Sequence, residues 1–136
     1  MSTISPQAAL VYAMVIAAVA DGALKPSERR TIAANVGALP AFKGYDVEHA
    51  NVAVGDCVSL LDQNDGIDAV LGLVKQALPE DLRETAYALA CDVVAADGHA
   101  GQSELRWLEM LRHHLDVSRL HSAAIERGAR ARYMAL

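Results

Sequence analysis

Two short stretches with the same pattern decide the fold of this chain: AVADGALKPSE at residues 18–28 and VVAADGHAGQSE at residues 93–104. Each ends an apolar segment with Ala-Asp-Gly, and each places a glutamate seven residues after the aspartate. A glycine in this position permits the left-handed backbone that commonly ends a helix. The two stretches therefore predict two helix–turn–helix corners, near residues 18–32 and 94–108.

The composition around these corners favours helices throughout. The chain has 136 residues, and we expect residues 1–136 to form a single domain. It is 53% hydrophobic but only 4% aromatic, and much of the hydrophobic share is alanine, the best helix former. No segment alternates apolar and polar residues as a half-buried strand would. The prediction is an all-α fold, a single compact bundle of about seven helices.

The expected helices begin at residues that are typical of helix starts, such as Ser5 before Pro6, and end at residues such as Gly22. Asp65 is the predicted N-cap of the fourth helix. The expected starts, in chain order, lie at or near Ser5, Pro26, Gly44, Asp65, Pro79, Gln102 and Val117.

Apolar residues spaced three or four apart predict the buried face of each helix. In the third and sixth helices, the residues expected to face the core are Val47, Val54, Val58, Leu61, Leu105, Leu108, Leu111 and Leu115.

The segment from Ala8 to Ala20 is almost wholly apolar. It is shorter than the roughly 20 residues that a membrane-spanning helix needs. It also lacks the basic region of a signal peptide, since no Lys or Arg precedes Lys25. We therefore expect a helix buried on most sides, no membrane insertion and a cytoplasmic protein.

The two corners also suggest how the chain arose. Asp21 and Asp97 are 76 residues apart, which is too long a period for a solenoid. We predict an internal duplication with pseudo-twofold symmetry. In that arrangement the first helix corresponds to the fifth, and the second helix corresponds to the sixth.

The acidic residues of the corners have two explanations. Asp21 and Asp97 lie at helix C-termini, where the helix dipole disfavours a negative charge. In the structural explanation, each aspartate accepts hydrogen bonds from nearby backbone amides, while Glu28 and Glu104 reach back to the helix cap.

The other explanation is a metal site. If the corners share one end of the bundle, Asp21, Glu28, Asp97 and Glu104 could converge. Four adjacent carboxylates repel one another unless protons or a cation compensate, and Ca²⁺ and Mg²⁺ prefer oxygen ligands. The spacing does not match an EF-hand, which needs acidic or amide ligands at alternating positions. Both explanations stay open on the residues alone.

The two corner stretches, followed by HHLDVSRLHSAAI at residues 113–125, resemble the TerB family of tellurite-resistance proteins. The resemblance implies a small, non-catalytic, cytoplasmic helical protein of tellurite and chemical-stress resistance. It also implies divalent-metal binding at Asp21, Glu28, Asp97 and Glu104. Its implied partners are proteins of the same stress system, including a membrane protein of the TerC type.

This chain departs from the family pattern after each turn. Family corners often read Ser-Pro-Glu-Glu, whereas this chain has Lys-Pro-Ser-Glu at 25–28 and Gly-Gln-Ser-Glu at 101–104. One carboxylate is therefore missing from each corner, which weakens the expected metal site.

Other functional classes receive less support. A formal net charge of −5 and the lack of aromatics among the basic residues argue against nucleic-acid binding. No nucleophile or phosphate-binding motif predicts an enzyme. Two alternatives remain: a purely structural or adaptor bundle without metal, and a metal-assisted hydrolase. The hydrolase requires a cleft lined by the same four carboxylates.

Two further predictions concern the cysteines and the charge of the last helix. Cys57 and Cys91 lie in apolar helical stretches and are expected to be buried thiols. The last helix is basic, which either complements its own dipole or serves an acidic partner or anionic lipid headgroups.

Overall fold

The computed structural model describes residues 3–96, 98 and 101–136. Across these residues the chain forms seven α-helices and no β-strand, which confirms the predicted all-α fold. The helices are α1 (Pro6–Ala18), α2 (Pro26–Ala38), α3 (Val47–Leu61), α4 (Gly66–Ala77), α5 (Arg83–Ala96), α6 (Gln102–His114) and α7 (Arg119–Arg132).

Helix α1 lies at the centre of the bundle. Its start follows the predicted cap: the Ser5 hydroxyl accepts a hydrogen bond from the Ala8 N–H at 3.0 Å, and Pro6 occupies the first helical position. Every residue from Ala9 to Ala18 is buried. Helices α2 to α6 all contact α1, so the expectation of a helix buried on most sides is confirmed. In the described part of the chain, no helix is both long and apolar enough to cross a bilayer.

Short 3₁₀ turns account for several differences in helix boundaries. Helix α1 ends at Ala18 and continues as a 3₁₀ turn, Val19–Asp21, before Gly22. Pro79 precedes another such turn, Glu80–Leu82, so α5 begins four residues after the predicted start. Turns of this kind are common at helix ends, where the last backbone groups lack α-helical partners.

Helix α3 corrects two predictions. It begins at Val47 rather than near Gly44, because the Asp46 carboxylate accepts a hydrogen bond from the His49 N–H at 2.9 Å and caps the helix. Val47 and Val58 were predicted to face the core, but they are 40% and 37% exposed. Val54 is buried as predicted. The other buried residues of α3 have smaller side chains, which let neighbouring helices approach closely. They are Ala50, Ala53 and Cys57.

In helices α6 and α7, some of the predicted positions are confirmed and others are wrong. Leu108, Leu111 and Leu115 are buried as predicted, but Leu105 is 50% exposed because it borders a surface cavity. Helix α7 begins at Arg119, two residues later than expected, since the Ser118 hydroxyl provides its N-cap.

The turn between α3 and α4 depends on a close backbone approach. Asp65 occupies the N-cap position of α4, but its side chain makes no capping hydrogen bond and its φ is 57°. Asp65 is therefore the N-cap residue, as predicted, but its side chain does not cap the helix. At Gly66, an added Cβ atom would lie 2.3 Å from the Leu60 carbonyl oxygen and 2.8 Å from that of Leu61. Only glycine fits this turn without moving the backbone.

Both cysteines are buried, free thiols, as predicted. Burial penalises the thiolate and raises the pKa of Cys57 and of Cys91 to about 12.

The central position of α1 predicts a large effect of truncating its side chains. Leu10→Ala should lower the free energy of unfolding by roughly 2–5 kcal/mol, since Leu10 is fully buried and its loss leaves a cavity. Urea denaturation followed by circular dichroism measures this. Leu120→Ala is the matched control, because Leu120 is 77% exposed, and we expect a change within about 0.5 kcal/mol. Equal effects of the two substitutions would contradict the central placement of α1.

The raised thiol pKa values predict slow alkylation of the folded protein. The thiolate is the reactive species, so at pH 8 both cysteines should react with iodoacetamide far more slowly than they do in urea. Mass spectrometry of timed samples provides the measurement. Rapid labelling of either cysteine under native conditions would show that its helix is accessible.

Candidate functional site

The first corner connects α1 to α2. The 3₁₀ turn Val19–Asp21 ends at Gly22, whose φ of 109° lies in the left-handed region that favours glycine. The Gly22 N–H donates to the Val19 carbonyl at 2.9 Å. Helix α2 then starts with Lys25 in the N-cap position and Pro26 in the first helical position, as the sequence predicted.

The second corner, between α5 and α6, repeats these contacts at positions 76 residues later in the sequence. Gly98 has a φ of 73°, and its N–H donates to the Ala95 carbonyl at 2.9 Å. Gly101 takes the N-cap position that Lys25 has in the first corner. The described parts of the two corners therefore share local geometry. The proposed duplication of the whole unit stays a prediction.

Glu28 and Glu104 have the same local role. Glu28 Oε1 accepts a hydrogen bond from the Lys25 N–H at 2.7 Å, and Glu104 Oε1 accepts one from the Gly101 N–H at 2.9 Å. This is half of a capping box. The reciprocal half is absent because neither lysine nor glycine at the N-cap offers a side-chain oxygen. The predicted reach of each glutamate to its helix cap is confirmed.

Both glutamates are buried, which is unusual for a carboxylate. Glu28 is 0% exposed and Glu104 is 4% exposed. The second oxygen of Glu104, Oε2, is also buried and has no hydrogen-bond partner among the described residues. A buried carboxylate oxygen is costly unless a donor, a proton or a cation satisfies it.

The other two predicted ligands are described less completely. The backbone of Asp21 lies in the 3₁₀ turn, and its side chain lies outside what the structure describes. Asp97 lies outside the described residues altogether. Among the side chains that are described, no three from His, Cys, Asp or Glu are grouped closely enough to hold a metal ion. The predicted four-carboxylate set is therefore still a prediction.

The helices of the two corners pack across one another. Helix α2, which carries Glu28, contacts α5, the helix that leads into the second corner. Helix α6, which carries Glu104, contacts both α1 and the 3₁₀ turn Val19–Asp21 of the first corner. Helix α6 therefore lies beside the turn of the first corner.

A cavity of about 440 Å³ between α5, α6 and α7 was not predicted from the sequence. At its edge the Tyr87 hydroxyl donates to Glu126 Oε2 at 2.5 Å, across 39 residues of chain. Burial, and then this hydrogen bond, raise the pKa of Tyr87. In the sequence, Leu105 is the residue that could have indicated this cavity. It is an apolar residue of α6 that lines the cavity and stays half-exposed.

The half capping box predicts a stability difference between two substitutions. Glu104→Ala should destabilise the protein by roughly 1–3 kcal/mol, because the Gly101 N–H loses its acceptor. Glu104→Gln keeps an acceptor oxygen and should cost less. Urea denaturation of both variants, without added metal, measures the difference.

Glu48→Ala is the matched control for this experiment, since Glu48 is an exposed acid in the first turn of α3. We expect it to change the free energy of unfolding by less than about 0.5 kcal/mol. If Glu104→Ala were equally silent, Glu104 would not cap α6.

Comparison with known protein families matches residues 7–127 to the model described as Tellurite resistance protein TerB. The match covers the corner helices and most of α7. Comparison with curated proteins and with solved structures gave no match to this chain.

Proposed function

Because this chain belongs to the TerB family of tellurite resistance proteins, we propose that it is a non-enzymatic, cytoplasmic module of chemical-stress resistance that binds a divalent cation at its two corners. The observation that supports this most is the Glu104 carboxylate. It is buried, and its Oε2 atom has no hydrogen-bond partner among the described residues. A cation beside this oxygen would offset the cost of burying its charge.

The proposed ligands are Asp21, Glu28, Asp97 and Glu104. Carboxylate oxygens are the donors that Ca²⁺ and Mg²⁺ prefer. In both glutamates Oε1 is already engaged with a backbone N–H. In Glu104, Oε2 is therefore the oxygen that would face the ion. The caps would thereby fix the orientation of the two glutamate ligands before the ion binds.

The mutual packing of the corner helices supports a shared site. Since α2 contacts α5, and α6 contacts the first corner, an ion held by both corners would link the two helix pairs. We propose that this linkage forms the surface for a protein partner of the stress system, such as a TerC-type membrane protein. Neutralising clustered acids would let such a partner approach without repulsion.

The half capping boxes favour a second candidate, a structural or adaptor bundle that binds no metal. In that case the glutamates serve only to cap α2 and α6. The metal-assisted hydrolase has less support, because the cavity between α5, α6 and α7 is not lined by Glu28 or Glu104.

Calorimetric titration of the chelator-treated protein with Ca²⁺ and with Mg²⁺ distinguishes the first two candidates. The cation proposal predicts saturable binding of at least one of these ions. Substituting both corner aspartates, Asp21→Asn with Asp97→Asn, should abolish it, since two of the four charged ligands are lost.

The matched control replaces Asp62 and Asp65, which are exposed acids between α3 and α4, with asparagine. This changes the net charge by the same amount and should leave binding intact. Absence of saturable binding by the unmodified protein, or equal loss in both double variants, would leave the adaptor as the better description.

A further inference from the structure

The cavity between α5, α6 and α7 has the size of a small-molecule site. Its volume of about 440 Å³ lies within the roughly 300–1,000 Å³ that such sites occupy. The C-terminal residues that follow α7 complete its wall. Most of its lining is apolar, including Val94, Ala95, Leu105, Leu108, Ala129 and Met134.

The apolar lining is incompletely covered by the protein itself. Leu105 is 50% exposed and Met134 is 72% exposed, although both line the cavity. An apolar molecule lying in the cavity would remove this surface from water, which is favourable.

The charged groups at the cavity differ in whether they have partners. Glu109 accepts a hydrogen bond from Arg112 at 2.6 Å, and Glu126 accepts the bond from Tyr87 at 2.5 Å. The Arg112 guanidinium also holds the pKa of Glu109 below its usual value. Both carboxylates are therefore already engaged by protein donors.

Arg130 is different, because its guanidinium has no hydrogen bond or ion pair with any residue that the structure describes. It lies on α7 and lines the same cavity. A guanidinium offers five N–H donors in a planar arrangement that matches a carboxylate. Among the charged groups that line the cavity, Arg130, which is exposed, is the one without a hydrogen bond or ion pair in the described part of the chain, whereas the negative charge of Glu126 is met by a neutral hydroxyl.

We propose that this cavity binds a small amphipathic anion, a free aliphatic monocarboxylate whose chain covers Leu105 and Met134 and whose carboxylate pairs with Arg130. This site uses other side chains than the proposed cation site, since neither Glu28 nor Glu104 lines the cavity, although Gly98 of the second corner does. The protein would thus carry two sites, built from different side chains, for ligands of opposite charge.

Calorimetric titration of the full chain with decanoate, below its micellar concentration, tests the proposal. Saturable binding at one site per chain is expected, and decylamine, which has the same chain and a positive charge, should bind much more weakly. Arg130→Gln should weaken decanoate binding by about tenfold, since a charge-assisted hydrogen bond is lost. Arg127→Gln is the matched control, because Arg127 is an exposed arginine on α7 that does not line the cavity.

A second variant tests the apolar wall. Leu105→Glu places a charge at a position that is already half-exposed, so the fold should persist by circular dichroism while decanoate binding is lost. Decanoate binding that is unchanged in both Arg130→Gln and Leu105→Glu would overturn the proposal, as would equal affinity for decylamine or no saturable binding of decanoate.

Co-sedimentation with vesicles of phosphatidylglycerol separates a free carboxylate from a lipid surface. The proposal predicts that decanoate binding survives Arg127→Gln. The contrary result is vesicle binding that depends equally on Arg127 and Arg130, without saturable binding of decanoate. In that case α7 acts as a basic membrane-surface helix, and the proposed cavity site is wrong.

Discussion

The structure depends on burying α1 on every side. Ten consecutive residues, Ala9–Ala18, are removed from water, so this helix has no polar face that could rest at the surface. Other helices must therefore enclose it, and α2 to α6 all do so. The two corners extend from this arrangement: the first continues directly from α1, and the second follows α5, which packs against α1.

Much of the fold could be predicted because helix ends are encoded locally. Ser5, Pro26 and Gln102 are at the positions expected from the sequence, since caps and prolines act through neighbouring backbone groups. The buried faces were less predictable. In α3 the apolar spacing pointed to Val47, Val54 and Val58. Val54 is buried as predicted, but the other buried positions carry smaller side chains, which allow the closer approach to the core. Which of two possible faces is covered depends on the neighbouring helices, and these are distant in sequence.

In the candidate site, too, local contacts could be predicted from the sequence, whereas packing between distant segments could not. The spacing of Glu28 and Glu104 from their turns predicted that each could reach its helix cap, and both do. Their nearly complete burial could not be read from the sequence, because it results from packing between the corner helices. The cavity was missed for a related reason. Its wall joins residues of α5, α6 and α7, and the contact between Tyr87 and Glu126 spans 39 residues without any local pattern.

The close backbone approach at Gly66 limits which mutations its codon can tolerate. Every single-base change in a glycine codon that alters the amino acid adds a side chain, and at this position even a methyl group would meet the Leu60 and Leu61 carbonyls. The codon for residue 66 therefore has no conservative missense neighbour. Among lineages that keep this tight connection between α3 and α4, we expect purifying selection to hold that codon to its four synonymous forms.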